Sequence, residues 1–169
     1  MALISLPAGD ALATGGVSTG GGSGTVPGER AKLKANGQAV PPASAPARVK
    51  RAIRAANDIA GKPYFYGGGH KPGFRDRRGY DCSGAASYAL SNKYGARALS
   101  APMPSTGFMG GWGKRGKGKW ITTYANSGHM YTMIAGLRFE SRSVSSGGPH
   151  WSKEGATRSG YTVRHPKGL

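Results

Sequence analysis

Cysteine is nearly absent from this sequence, since Cys82 is the only one among 169 residues. A single cysteine excludes an internal disulfide and a cysteine-rich zinc site, and no other pattern of residues predicts a cofactor or a metal. No apolar run reaches the length of about 18 residues that a transmembrane helix needs, so no membrane span is predicted.

Acidic residues are also scarce, with seven against 24 lysines and arginines, and the net charge is +17. Residues 1–45 carry a net charge of +1, which leaves +16 for residues 46–169. The five carboxylates of that second part are Asp58, Asp76, Asp81, Glu140 and Glu154. Such a charge attracts polyanions over a Debye length of roughly 8–10 Å. Charge alone does not distinguish nucleic acid, anionic lipid and a bacterial wall rich in phosphate and carboxylate.

Two regions differ in composition. Residues 1–45 are rich in glycine, serine and proline without apolar periodicity, which predicts a disordered leader or linker. Within it, Ala11, Leu12 and Ala13 form a small–any–small pattern. Residues 1–13 are therefore interpreted either as the remnant of a signal peptide or as an ordinary tail. Residues 46–169 are predicted to form one folded domain.

Helices precede strands in that domain. Apolar residues at helical spacing predict an amphipathic helix of about 14 residues that ends at Gly61. A second helix is predicted from the N-cap Asp81 to Gly95. Strand-like runs follow at 119–125, 129–135, 137–141 and 161–165. This order predicts an α+β fold with an antiparallel sheet.

The position of Cys82 favours a reactive thiol over an inert one. It directly follows the predicted N-cap, where free N–H groups and the helix dipole stabilise a thiolate. The same N–H groups could form an oxyanion hole. Of the four histidines, His129 is the best candidate for the base, because it opens the apolar strand after residues 127–128.

A third residue should orient the imidazole of His129 by accepting a hydrogen bond. Glu140 is the leading candidate, because a turn at residues 135–136 would fold its strand back beside His129. His150 and Ser141 are the rivals for this role. The alternative interpretation of Glu140 is a charge match for neighbouring arginines on a solvated face.

Three motifs together resemble the NlpC family of papain-like peptidoglycan endopeptidases. They are PYFYGG at residues 63–68, YDCSG at 80–84, and the Gly128-His129 pair that opens an apolar strand. The likeness extends over roughly residues 46–165. It implies a papain-like core in which N-terminal helices pack on an antiparallel sheet.

The resemblance also implies roles for single residues. Cys82 would be the nucleophile, His129 the base, and Tyr64 would lie beside the thiol, while Asp81 and Ser83 would help to bind the substrate peptide. Similar proteins cleave peptidoglycan stem peptides between D-γ-glutamate and the diamino acid. The family's third residue is usually a neutral His, Asn or Gln, so an acid at position 140 departs from the pattern.

The sequence thus predicts a monomeric, secreted or wall-associated cysteine endopeptidase, with wall peptide as substrate and anionic wall polymers as further partners. A non-catalytic wall- or polyanion-binding module on a peptidase-like fold is the alternative. The Lys114–Lys119 cluster between Trp112 and Trp120 keeps that alternative open. Specific nucleic-acid binding is not expected, because no helix-turn-helix, zinc-finger or RNA-recognition pattern occurs.

Overall fold

The first helix follows the amphipathic pattern of its sequence. The structure is a computed structural model that describes residues 24–143, 145 and 147–169, so the two interpretations of residues 1–13 lie outside it. Helix α1 spans Ala47–Ile59 and buries Val49, Ala52, Ile53, Ala55, Ala56 and Ile59. Gly61 follows with a φ of +82°, a conformation that suits glycine after a helix end.

Helix α2 spans Cys82–Leu90 and is buried along nearly its whole length. The Asp81 carboxylate caps it by accepting a hydrogen bond from the N–H of Gly84 at 2.7 Å. The predicted end at Gly95 is wrong. The Ser91 hydroxyl accepts from the N–H groups of Tyr94 (3.0 Å) and Gly95 (3.2 Å), and this local turn replaces further helix.

The main sheet has six antiparallel strands in the order β3-β8-β4-β5-β6-β7. A short helix, α3 (Ser105–Gly110), precedes this sheet. The strands of the sheet are β3 Lys114–Arg115, β4 Ile121–Ala125, β5 Met130–Ile134, β6 Leu137–Glu140, β7 His150–Ser152 and β8 Thr162–His165. Helix α2 packs between α1 and strands β5 and β6. The predicted α+β fold, with helices first and an antiparallel sheet after them, is confirmed. In the described part of the chain, no helix is long and apolar enough to cross a membrane.

A two-residue turn joins β5 to β6. Ala135 and Gly136 both have positive φ values, 46° and 82°, which suit the tight turns of twisted hairpins. Ile134 pairs with Leu137, and Thr132 pairs with Phe139. The end of β6 therefore runs back toward the start of β5, as the sequence predicted.

Residues 26–45 differ from the disordered leader predicted for them. Strands β1 (Lys32–Leu33) and β2 (Ala39–Val40) form a small hairpin. Asn57 of α1 accepts from the N–H of Ala39 at 2.9 Å and donates to its carbonyl at 2.8 Å. A strand of two residues is too short to show a periodic pattern in the sequence, so neither strand was predicted. Their conformation is stabilised by side-chain contacts from the rest of the domain, such as those of Asn57.

We expect Asn57→Ala to release residues 26–45 and to lower the free energy of unfolding by about 1–3 kcal/mol, because Asn57 also accepts from the indole of Trp151. Urea unfolding and limited proteolysis would measure both effects. Asn36→Ala is the matched control, since Asn36 accepts one hydrogen bond in an exposed turn. Unchanged resistance of residues 26–45 to protease in Asn57→Ala would contradict the expectation.

Candidate active site

Cys82 is the first residue of α2 and is partly exposed to a cleft of about 530 Å³. One wall is the loop that contains Tyr64, Gly67 and His70. The other walls are the start of α3 and residues 127–128. In the first turn of a helix, the N–H groups have no helical acceptor. The thiol therefore lies at the positive end of α2 and faces solvent.

The side chain of His129 lies between Cys82 and Glu140. Its Nε2 donates to Glu140 Oε2 at 3.1 Å, which leaves Nδ1 for the contact with Cys82. The hydrogen bond with Cys82 and, second, that with Glu140 raise the pKa of His129 to about 9, against the opposing effect of burial. The structure thus brings the three residues that the sequence proposed as a catalytic set into one chain of contacts.

Asn126 holds His129 at the start of β5, a role that sequence reasoning missed. Its side-chain oxygen accepts from the N–H groups of His129 (2.8 Å) and Gly128 (3.0 Å). The N–H of Asn126 donates to the carbonyl of His129 at 2.9 Å. The signal in the sequence is an asparagine three residues before the histidine, a spacing typical of Asx turns.

Glu140, and neither of its rivals, contacts the His129 ring. His150 bonds through Nδ1 with the carbonyl of Gly148 (2.8 Å), and the Ser141 hydroxyl donates to the carbonyl of Tyr80 (2.8 Å). Only 1% of Glu140 is exposed, so its face of the sheet is not the solvated one of the alternative interpretation.

The charge of Glu140 is strongly compensated. Burial by itself would raise its pKa, but hydrogen bonds from His129 and Arg142 and the charge of Arg138 lower the pKa to about 2. From the sequence, Arg138 and Arg142 were considered only as a charge match for Glu140 on a solvated face. Because side chains alternate along a strand, residues 138, 140 and 142 lie on one face, and this period of two was the available signal.

Asp81 and Ser83 line the cleft but are engaged within the protein. The Asp81 carboxylate accepts from the N–H groups of Gly67 (3.0 Å) and Gly84, from His70 Nε2 (3.0 Å) and from the Ser83 hydroxyl (3.1 Å). Burial would raise the pKa of Asp81, but these hydrogen bonds lower it. Asp81 therefore ties the glycine loop to the helix that carries Cys82.

Tyr64 lies in the wall of the cleft near Cys82 and Asp81. Burial, followed by the charges of these two residues, raises the pKa of its phenol. The phenol therefore stays protonated near neutral pH and can donate a hydrogen bond to a ligand.

Comparison with known proteins gives a likeness at the level of structure. No protein-family model and no curated protein matches the chain. The chain is similar to the solved structure of the peptidoglycan hydrolase RipB from Mycobacterium tuberculosis, with 24% identity and a TM-score of 0.49. The match covers 70% of this chain and 64% of that chain, less than two thirds of its length.

We expect the imidazole of His129 to titrate with a midpoint near pH 9, because two acceptors stabilise its charged form. Cys82→Ala and Glu140→Gln should each lower that midpoint toward 6.5, the former by more, since the contact with Cys82 is the stronger cause. NMR titration of labelled histidine would measure the midpoints. A wild-type midpoint near 6.5 would show that the contacts are not made in solution.

Proposed function

We propose that this protein is a cysteine endopeptidase that hydrolyses peptide bonds in the stem peptides of bacterial peptidoglycan. One observation carries the proposal: a partly exposed cysteine at a helix N-terminus contacts a histidine whose other nitrogen is held by a buried carboxylate. This is the arrangement of nucleophile, base and orienting residue that acyl transfer requires. The peptidoglycan substrate follows from the resemblance of the three motifs to the NlpC family.

The reaction would proceed through an acyl-enzyme. The Cys82 thiolate attacks the carbonyl carbon of the scissile bond, and N–H groups in the first turn of α2 stabilise the oxyanion. His129 then gives its Nδ1 proton to the leaving amine as the carbon–nitrogen bond breaks. In the second half, His129 takes a proton from water, whose oxygen attacks the thioester; the carbon–sulfur bond breaks, and the carboxylic acid and the Cys82 thiolate are released.

The substrate would lie along the wall formed by Tyr64, Asp81 and Ser83. Tyr64 would donate a hydrogen bond near the reacting carbonyl, since its phenol lies near Cys82. Asp81 and Ser83 would act mainly through the polar surface that they form with His70. The bond between D-γ-glutamate and the diamino acid is the proposed site of cleavage.

A basic surface would hold the enzyme on an anionic wall, where we expect it to act as a secreted monomer. Of the six described side-chain carboxylates, four form ion pairs with lysines or arginines, namely Glu29, Asp76, Glu140 and Glu154, and that of Asp81 accepts a hydrogen bond from His70. The cationic excess is therefore left for partners. Lys114, Arg115 and Lys117 are exposed at the β3 edge of the sheet and contact no carboxylate in the described part of the chain. The same observation favours the second candidate function, a binding module without catalysis.

We expect Cys82→Ala to abolish the release of peptides from purified peptidoglycan, because the chain has no other thiol. Mass spectrometry of the soluble products would detect the release and identify the bond that is cut. If Cys82→Ala released peptides at the wild-type rate, the proposed mechanism would be wrong.

A neutral alkylating probe separates the enzyme from the binding module. Catalysis requires rapid labelling of Cys82 near neutral pH, and that rate should fall by about ten-fold or more in His129→Ala. His165→Ala is the matched control, because His165 bonds with the Gly116 carbonyl near the β3 edge of the sheet. Slow labelling that is the same in all three proteins would favour the binding module.

Replacing Lys114 and Lys117 by glutamine should weaken retention on wall material by roughly two- to ten-fold at low salt, because it removes two charges from the exposed edge. Cosedimentation with wall, before and after extraction of its anionic polymers, measures the effect. Lys32→Gln with Lys34→Gln is the control of equal charge. Equal losses in both pairs would mean that total charge, not the β3 edge, determines retention.

A further inference from the structure

Strand β6 and the residues after it carry three charged side chains on one face, beside the proposed active site. Arg138, Glu140 and Arg142 are spaced by two, and the intervening Phe139 packs on the other face against Trp151. The middle residue is the one that touches His129. The two arginines therefore flank the orienting carboxylate along the strand.

Both arginines contact the Glu140 carboxylate. Arg138 donates from Nη2 to Oε2 at 2.9 Å, and its Nε lies 2.9 Å from Oε1 as an ion pair outside hydrogen-bond angles. The Nε of Arg142 lies 3.0 Å from Oε1. With His129 at 3.1 Å, the carboxylate has three cationic or ionisable partners. Because each arginine contacts Glu140 separately, replacing one of them would leave the other beside the carboxylate.

The arginines are themselves held in place. The guanidinium of Arg138 lies 3.8 Å from the centre of the Tyr131 ring, and the Tyr131 hydroxyl donates to the carbonyl of Thr157 at 2.6 Å. Glu154 Oε2 accepts from Arg142 at 2.6 Å and lies 3.3 Å from Arg138. Arg138 is largely buried, whereas the side chain of Arg142 is 40% exposed.

Charge balance indicates what this arrangement does. A thiolate and an imidazolium at Cys82 and His129 together have no net charge. Glu140 and Glu154 add two negative charges, and the two arginines cancel them. A buried carboxylate without such partners would be strongly destabilising. An uncompensated negative charge at Glu140 would also raise the pKa of His129 further. A base with too high a pKa keeps its proton and is a poor catalyst near neutral pH.

We propose that Arg138 and Arg142 are positioning residues that cancel the charge of Glu140, so that Glu140 orients His129 as a hydrogen-bond acceptor without acting as a full negative charge. This inference rests on the proposed catalytic role of Cys82 and His129. It accounts for an acid at a position where the resembling family has a neutral residue. Arg138 and Arg142 act through Glu140, and neither lines the cleft that exposes Cys82.

The test follows the titration of His129, whose ring contacts Cys82 from α2 and Glu140 from β6. Other charged or titratable groups nearby are Tyr64, Asp81 and His70 in the cleft, His150 opposite Glu140 on β7, and Glu154 behind the arginines. Removing a positive charge beside Glu140 should favour the imidazolium. We therefore expect Arg138→Gln and Arg142→Gln to raise the midpoint of His129 by about half a pH unit, with the smaller rise in the more exposed Arg142 variant.

Opposite shifts distinguish charge compensation from simple packing. Glu140→Gln should lower the midpoint, and adding Arg138→Gln to it should change the midpoint by less than the same substitution does in the wild type. Arg138→Lys keeps the charge and should leave the midpoint near the wild-type value. NMR of labelled histidine measures the wild type and all five variants, and the alkaline limb of Cys82 labelling should move in parallel.

A fall or no change of the midpoint in both arginine variants would overturn the inference. If Arg138→Gln does not fold, Arg142→Gln decides the question alone, because Arg142 is partly exposed. The NMR readout needs no substrate. Failure of Cys82→Ala to abolish peptide release would thus overturn the proposed function without deciding this one.

Discussion

An ionised carboxylate that is buried from water needs positively charged or hydrogen-bonding partners, and the partners of Glu140 form the sheet side of the candidate site. Burial alone would protonate the side chain, but His129, Arg138 and Arg142 keep it ionised. The same contacts join β5, β6 and the loop that contains Glu154. The orientation of the His129 ring therefore depends on a set of ion pairs whose rearrangement would cost free energy, because it would leave a buried charge without a partner.

Asp81 has the corresponding role on the helical side of the cleft. It caps α2, whose first residue is Cys82, and it accepts hydrogen bonds from the glycine loop and from His70. Close packing supports this arrangement, because a Cβ on Gly84 would collide with the carbonyl oxygen of Gly68. The thiol and the imidazole are thus held by two separate carboxylates, one at a helix N-terminus and one in a sheet.

Local patterns of the sequence account for much of the fold. The spacing of Val49, Ile53 and Ile59 predicts α1, Asp81 predicts the start of α2, and alternating runs predict strands β4, β5, β6 and β8. The short elements β1, β2, β3 and β7 were missed, because two or three residues carry no periodicity and their order comes from partners distant in the chain. The end of α2 was missed because the Ser91 hydroxyl offers the backbone a competing turn.

By itself the sequence determined the chemical candidates: one thiol at a helix start, one histidine before an apolar strand, and one acid on the next strand. These are properties of residue type and short-range spacing. Only the tertiary structure decided that His129 meets Cys82, that Glu140 and not His150 or Ser141 holds its other nitrogen, and that Arg138 and Arg142 compensate that acid. The physical reason is that hydrogen bonds and ion pairs act over a few ångströms, and only strand register and helix packing bring residues so far apart in the chain to that distance.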